Sequence, residues 1–289
     1  MKVCGFTIVR NAIKYDYPVL ESIKSILPLC DKLVVAVGNS EDGTLDLIKS
    51  IDKDKIVIIE TIWDDTLKEG GRVLAVETNK AMDAISDDFD WCFYIQADEV
   101  IHEKSYPVIQ SAMMQWLNVP EVEGLLFKYH HFWGTFEYIG INRQWYKHEI
   151  RVIRNNKQIR SYRDAQGFRR NNCKLSVKSV DAYIYHYGYV RSPAVMKKKM
   201  KDFSELYHSD EDLKKEIQRI NKFNYEDVDA VKKFKGSHPA IMKNRIEEME
   251  WIVKIDENQI KMSLKDRLLF IFERIFNYRL FEYKNYKKI

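Results

Sequence analysis

Four short runs of β-branched and aromatic residues, Val3–Val9, Lys32–Val37, Lys55–Thr61 and Trp91–Ile95, alternate with segments whose apolar residues fall at helical spacing. In the segment from Tyr17 to Leu29, Leu20, Ile23 and Leu27 share a face, and Thr44–Ile51 and Leu74–Ile85 repeat the pattern. Strands alternating with helices in this way predict an α/β fold, a parallel sheet with helices on both faces. Ligands bind beyond the carboxyl ends of the strands in such sheets, which directs attention to the residues just after each run.

After the second run comes Gly38-Asn39-Ser40-Glu41-Asp42-Gly43-Thr44, a polar turn that feeds directly into a helix. Ser40 or Asp42 can cap the free N–H groups of that helix, and the same turn can hold a base or ribose. The fourth run leads into Gln96-Ala97-Asp98-Glu99, two adjacent carboxylates at the mouth of the crevice. A hard divalent cation takes oxygen ligands and bridges diphosphate oxygens, but acids also close strands and cap helices. Taken alone, the pair supports both readings equally.

Together, in order and spacing, the two turns resemble those of the family 2 glycosyltransferases of the GT-A fold. In that family a D-G-S-x-D-G-T-like turn follows the second strand and a D-x-D-like motif follows the fourth. Ser40, Asp42, Gly43 and Thr44 match the first turn, whereas Gly38 and Asn39 replace its leading Asp-Gly. Asp98 matches the final acid of the second motif and Gln96 replaces its first, so this end is similar to a subgroup that reads Q-A-D-E. The resemblance covers roughly residues 1–190.

That resemblance implies a GT-A-type nucleotide-binding sheet flanked by helices over residues 1–190, with residues 191–289 as a helical C-terminal extension packed on it. It implies metal-dependent, inverting transfer of a sugar from a nucleoside-diphosphate sugar to a glycan or lipid-linked acceptor. Asp98 would be the principal metal ligand, Glu99 would help hold the metal or the acceptor, and Gln96 would face the ribose or diphosphate. Arg10, Asn11, Asn39, Asp42 and Glu60 fall at nucleotide-facing positions, and Asn79 matches an Asn that approaches the diphosphate. His186, within Tyr185–Tyr189, would add a nitrogen ligand, a mixture that suits Mn²⁺ at least as well as Mg²⁺. The acceptor hydroxyl needs a base, for which Asp164 is the first candidate and Glu149 the second. Both acids stand near arginines and could equally form ordinary ion pairs.

Composition narrows the alternatives. The 47 basic and 43 acidic residues leave a formal charge of only +4, too even to indicate a nucleic-acid partner. Cys4, Cys30, Cys92 and Cys173 form no C-x-x-C pair, and their surroundings suggest buried free thiols. No apolar stretch reaches the length of a membrane span, and Val3–Val9 is too short for the apolar region of a signal peptide; the expected location is the cytoplasm. Residues 129–146 are dense in Tyr, Trp, Phe and His and suit either a sugar platform or an aromatic core. Leu125–Tyr138 and Ile150–Ile159 read as further strands. Leu264–Phe281 mixes a broad apolar face with basic residues; docking of that face on the body is the expectation, and peripheral membrane contact the alternative. Two competing functions remain: a catalytically inactive relative that binds glycan or nucleotide, and a nucleotidyltransferase. The latter ranks last because Arg10-Asn11-Ala12 lacks the glycines of a phosphate loop.

Overall fold

The computed structural model describes residues 1–67, 69–207, 210–256, 261–276 and 278–289. Its first part follows the alternation of the sequence: β1 (Val3–Val9), α1 (Val19–Ile26), β2 (Lys32–Gly38), α2 (Thr44–Lys49), β3 (Ile56–Thr61), α3 (Arg72–Asp83) and β4 (Trp91–Tyr94). β1 runs parallel to both β2 and β4, and β2 parallel to β3. All four carboxyl ends therefore open on one edge. Every residue of β1 is buried, because the sheet is covered on both faces: Val3 and Val9 belong to one apolar cluster, and Cys4, Phe6 and Ile8 to the other. Each fully buried side chain of this size stabilises the fold by roughly 1.5–3 kcal/mol.

Beyond Asp98 the sheet becomes mixed. There follow β5 (Glu99–Ile101), α4 (Tyr106–Gln115), β6 (Gly124–Trp133), β7 (Tyr138–Gly140), β8 (His148–Arg154), β9 (Ile159–Tyr162), β10 (Gly167–Arg170), β11 (Cys173–Lys174) and β12 (Ser176–Tyr189). The path β7-β6-β8-β4-β1-β2-β3 carries the main sheet, with β12 attached through β6 and β5, while β9, β10 and β11 form a small separate sheet. The stretch expected as one strand from Leu125 to Tyr138 is broken at Gly134, whose φ of 69° begins a turn. The stretch Ile150–Ile159 likewise divides, β8 ending at Arg154 and β9 starting at Ile159.

After residue 190 come α5 (Pro193–Tyr207), α6 (Asp210–Asn221), β13 (Val231–Lys233), α7 (Lys243–Glu247), α8 (Leu264–Phe276) and β14 (Lys287–Lys288). Besides these helices, this part supplies two short strands, β13 against β7 and β14 against β12. Three of the four cysteines are buried free thiols; Cys173, on β11, is exposed, contrary to the expectation for it.

Candidate active site

A cavity of about 750 Å³ lies at the carboxyl ends of β1 and β4. Its rim is formed where two strand-end turns interlock. Asn11 adopts the left-handed conformation, with φ of 55°, which Asn tolerates better than most residues. Its N–H donates to Ser40 Oγ at 3.0 Å, and its Oδ1 accepts from the Glu41 N–H at 2.8 Å. Asp42 accepts from the N–H groups of Lys14 (2.7 Å) and Thr44 (3.0 Å) and from the Thr44 hydroxyl. Burial pushes the Asp42 carboxyl up, but the hydrogen bonds from Thr44 and Lys14 outweigh it and hold the group below the usual range. Asp42 thus serves as the tie between the turns, while Arg10, Asn11 and Lys14 line the cavity.

Arg10 pairs with Asp65 at 2.7 Å and lies 5.5 Å from the centre of the Trp63 ring. That indole accounts for Gly38. A Cβ there would stand 2.7 Å from Trp63 Cδ1, so the chain exchanges the acid of the resembled motif for an aromatic wall. Asn39 and Glu60 border a separate depression with Ser40 and Thr61. Asn39 Oδ1 accepts from the Trp63 N–H at 3.2 Å, and Glu60 is exposed. Asn79 does not line the cavity either; its Oδ1 accepts from the Ser161 N–H at 2.8 Å and anchors β9.

The two adjacent carboxylates after β4 have opposite surroundings. Asp98 and Gln96 line the cavity. Glu99 is fully buried beneath it: Arg151 Nε and Nη2 donate to its two oxygens at 2.8 and 2.7 Å, and the Tyr129 hydroxyl donates at 2.7 Å. The Gln96 N–H adds a fourth bond at 3.1 Å. The expectation that Glu99 helps hold a metal is therefore corrected. Its acceptor positions are occupied by an internal bidentate pair, and its role is to fix the loop that presents Asp98.

β12 delivers the remaining polar groups. His186 pairs across the sheet with Glu99 on β5 and with His131 on β6, and the Tyr187 N–H donates to the Asp98 carbonyl at 2.8 Å. His186 Nε2 lies 3.7 Å from Asp98 Oδ1. Gly188 permits this approach, since a Cβ would come within 2.5 Å of His186 Nε2 and 3.0 Å of Asp98 Oδ2. The hydrogen bonds also assign the tautomers. His131 Nε2 meets the Tyr146 carbonyl at 2.8 Å and must donate, which leaves its Nδ1 as an acceptor. That acceptor, 3.1 Å from His186 Nδ1, requires His186 to donate there and leaves a lone pair on Nε2 toward Asp98. Burial holds both imidazoles below their usual range, which favours these neutral forms.

A nitrogen lone pair and a carboxylate facing one another call for a cation. Among the described residues no group of three or more His, Cys, Asp and Glu side chains is spaced to hold a metal, and Asp98 and His186 are two such side chains that face one another in the cavity. The chain also brings a cation of its own, which sequence reading missed. Lys199, on α5, lines the cavity with Nζ 3.7 Å from Asp98 Oδ2, and it rests on Tyr17 and Phe203. Burial and the nearby Arg191 push its pKa down to about 7, against the opposing pull of Asp98. Asp98 is in turn pushed up by burial but held below its ordinary range by the charges beside it, Lys199 and Arg191 among them. In the sequence Lys199 is one of several lysines in a run, and only the docking of α5 selects it.

Asp164 also lines the cavity, in the turn between β9 and β10. Arg163 and Ala165 on either side both have positive φ, 55° and 58°, a strained arrangement that concentrates at functional turns. Glu149, the other candidate base, does not line the cavity. Burial raises it to about 8, assisted by the charges of Asp164 and Glu99 and opposed by Arg151, and its Oε2 has no hydrogen-bond partner. The aromatic segment is divided between uses: Trp145 and Tyr146 line the cavity with Tyr189, whereas Phe132, Phe136 and Tyr138 are buried.

No protein-family profile matches the chain, and no curated protein does. Several solved structures resemble it. One is the crystal structure of S. aureus TarS, at 17% identity and TM-score 0.42, covering 70% of this chain and 39% of that one. Another is 4-diphosphocytidyl-2C-methyl-D-erythritol synthase from Anaerococcus prevotii, at 10% identity and TM-score 0.37, covering 76% and 96%. A third is glucosyl-3-phosphoglycerate synthase from Mycobacterium tuberculosis in complex with Mn²⁺, UDP and phosphoglyceric acid, at 19% identity and TM-score 0.30, covering 45% and 43%. The chain thus spans well under half of the first of these proteins. Likeness of this degree leaves the activity to be argued from the chain's own residues.

Proposed function

We propose that the protein is a glycosyltransferase that binds a nucleoside-diphosphate sugar in the 750 Å³ cavity and transfers the sugar to a glycan or lipid-linked acceptor. The observation that carries this reading is the convergence of Asp98, His186 and Lys199 within one strand-end cavity that also holds Arg10 and Asn11. Anionic donor phosphates need that density of positive and ligating groups, and a simple structural ion pair does not. Arg10 and the interlocked turns would hold the nucleotide. Lys199 would meet diphosphate oxygens as a point charge. With Asp98 and His186 as protein ligands, a divalent cation would offset the charge gathering on the departing nucleoside diphosphate.

Asp164 would take the proton from the attacking acceptor hydroxyl, whose attack on the anomeric carbon passes through an oxocarbenium-like state. Attack from the face opposite the leaving group inverts that carbon. Trp145, Tyr146 and Tyr189 offer ring faces to sugar C–H groups. Buried Glu149 is less suited to the base role, because it would have to reach out of an enclosed position. Calorimetric titration with UDP-, GDP- and dTDP-linked sugars, with and without Mn²⁺, tests the donor assignment. Mass spectrometry of candidate acceptors tests transfer. Binding without any transfer or donor hydrolysis would favour a pure binding protein; no binding of any nucleotide sugar would end the proposal.

A further inference from the structure

The last helix presents its apolar residues to solvent. On α8, Leu264, Leu268, Ile271 and Ile275 follow one another at intervals of four, three and four, which aligns them on a single stripe. They are 81%, 70%, 52% and 68% exposed. The inward face carries Glu273, buried and paired with Arg279 at 2.9 Å, with Arg143 at 3.4 Å and with Lys147. Leu269, Phe270 and Phe272 are half-buried beside it, so part of the helix's apolar surface packs on the body while the Leu264, Leu268, Ile271 and Ile275 stripe is left in solvent. Phe276 and Phe281, 62% and 89% exposed, add to the uncovered surface. A soluble surface rarely carries so continuous an apolar strip unless it meets something.

Charge identifies the occupant. Residues 264–289 contain seven lysines and arginines against three acids, a net +4, which equals the formal charge of the whole chain. The preceding 263 residues are balanced. On the helix, Lys265 flanks the stripe on one side and Arg267 and Arg274 flank it on the other, all exposed. An apolar strip bordered by cations on both sides suits the boundary between acyl chains and anionic headgroups. Among the described residues no helix is long and apolar enough to cross a membrane, so the contact would lie along the surface.

We propose that α8 is an interfacial helix that docks the protein on an anionic lipid surface through Leu264, Leu268, Ile271 and Ile275. The proposal is independent of sugar transfer, since vesicle binding requires no donor. The full chain is sedimented with vesicles of phosphatidylcholine alone and with vesicles containing about one third phosphatidylglycerol, at low and high salt. The expected result is roughly fivefold or greater enrichment on the anionic vesicles, reduced by salt. The double variant Leu268→Ser with Ile275→Ser should lose that enrichment with an unchanged melting temperature, because both side chains are already in solvent. Equal binding by the variant, or no binding by the parent chain, overturns the proposal. Absence of vesicle binding together with a dimer that dissolves in the variant also overturns it, and assigns the stripe to a second copy.

Discussion

Residues 3–98 supply the cavity through turns that follow directly on parallel strands, whereas residues 129–203 supply it from distant strands, loops and a helix. On the first side, Asn11 bonds to Ser40 and Glu41, and Lys14 to Asp42, by short hydrogen bonds between neighbouring turns. On the second, His131, His186 and Lys199 meet only because β12 runs beside β6 and α5 folds back over the cavity. Asp98 and Glu99 stand at the junction: one carboxylate belongs to the cavity, and its neighbour belongs to the scaffold. Asp98 ends the turn after β4 and Glu99 begins β5, so adjacency in sequence assigns the two acids no common role.

Breaking that junction should give the two largest effects. Asp98→Ala should lower kcat by about three orders of magnitude or more, corresponding to ~4 kcal/mol of barrier, with a modest change in melting temperature. Glu99→Ala should instead act on the fold, destabilising it by roughly 3–5 kcal/mol because Arg151 is left charged, buried and unpaired. Steady-state transfer assays and chemical unfolding measured on both variants check the contrast. Equal loss of stability in the two would show that Asp98 is a scaffold residue after all.

A smaller effect tests the imidazole chain. His131→Phe keeps the aromatic packing with Trp145 and Tyr146 but removes the acceptor for His186 Nδ1. Affinity for Mn²⁺ in the presence of nucleoside diphosphate should fall about 10- to 100-fold, as for other removed outer-shell partners. Calorimetry reads this directly. Unchanged affinity would mean that His186 is oriented by β12 alone.

The parallel half was legible because its information is local: β-branched runs, helical spacing and polar turns all lie within a few residues of what they determine. The strand-end acid Asp98 was accessible for the same reason. Glu99, Asn79 and Glu60 were assigned by position after a strand or in a helix, and position does not tell which way a side chain faces. Asn79 turns to Ser161, and Glu99 to Arg151, a partner 52 residues away. Lys199 could not be picked from its run, since neighbouring lysines differ only in which one meets the cavity. The α8 pattern shows the same limit from the other direction. Apolar residues cover more than one face of this helix, and the buried Glu273 network with Arg143, Lys147 and Arg279 fixes which part of it is left outside.

A test by pH concerns Glu149, on β8. Its folded-state pKa is raised to about 8 from the ordinary carboxylate range by burial, with Asp164 and Glu99 adding to it and Arg151 opposing. Between the unfolded value near 4.5 and the folded value near 8, the folded chain retains a proton that the unfolded chain has released. Stability must then fall as pH rises through this window, by at most about 1.4 kcal/mol per pH unit from this group, and level off above it. Glu149→Gln removes the contribution. The variant should gain on the parent chain progressively from pH 5 to pH 8 in urea unfolding, while transfer through Asp164 continues. A pH-independent difference between the two would show that Glu149 is ionised in the folded chain, and would return it to consideration as the base.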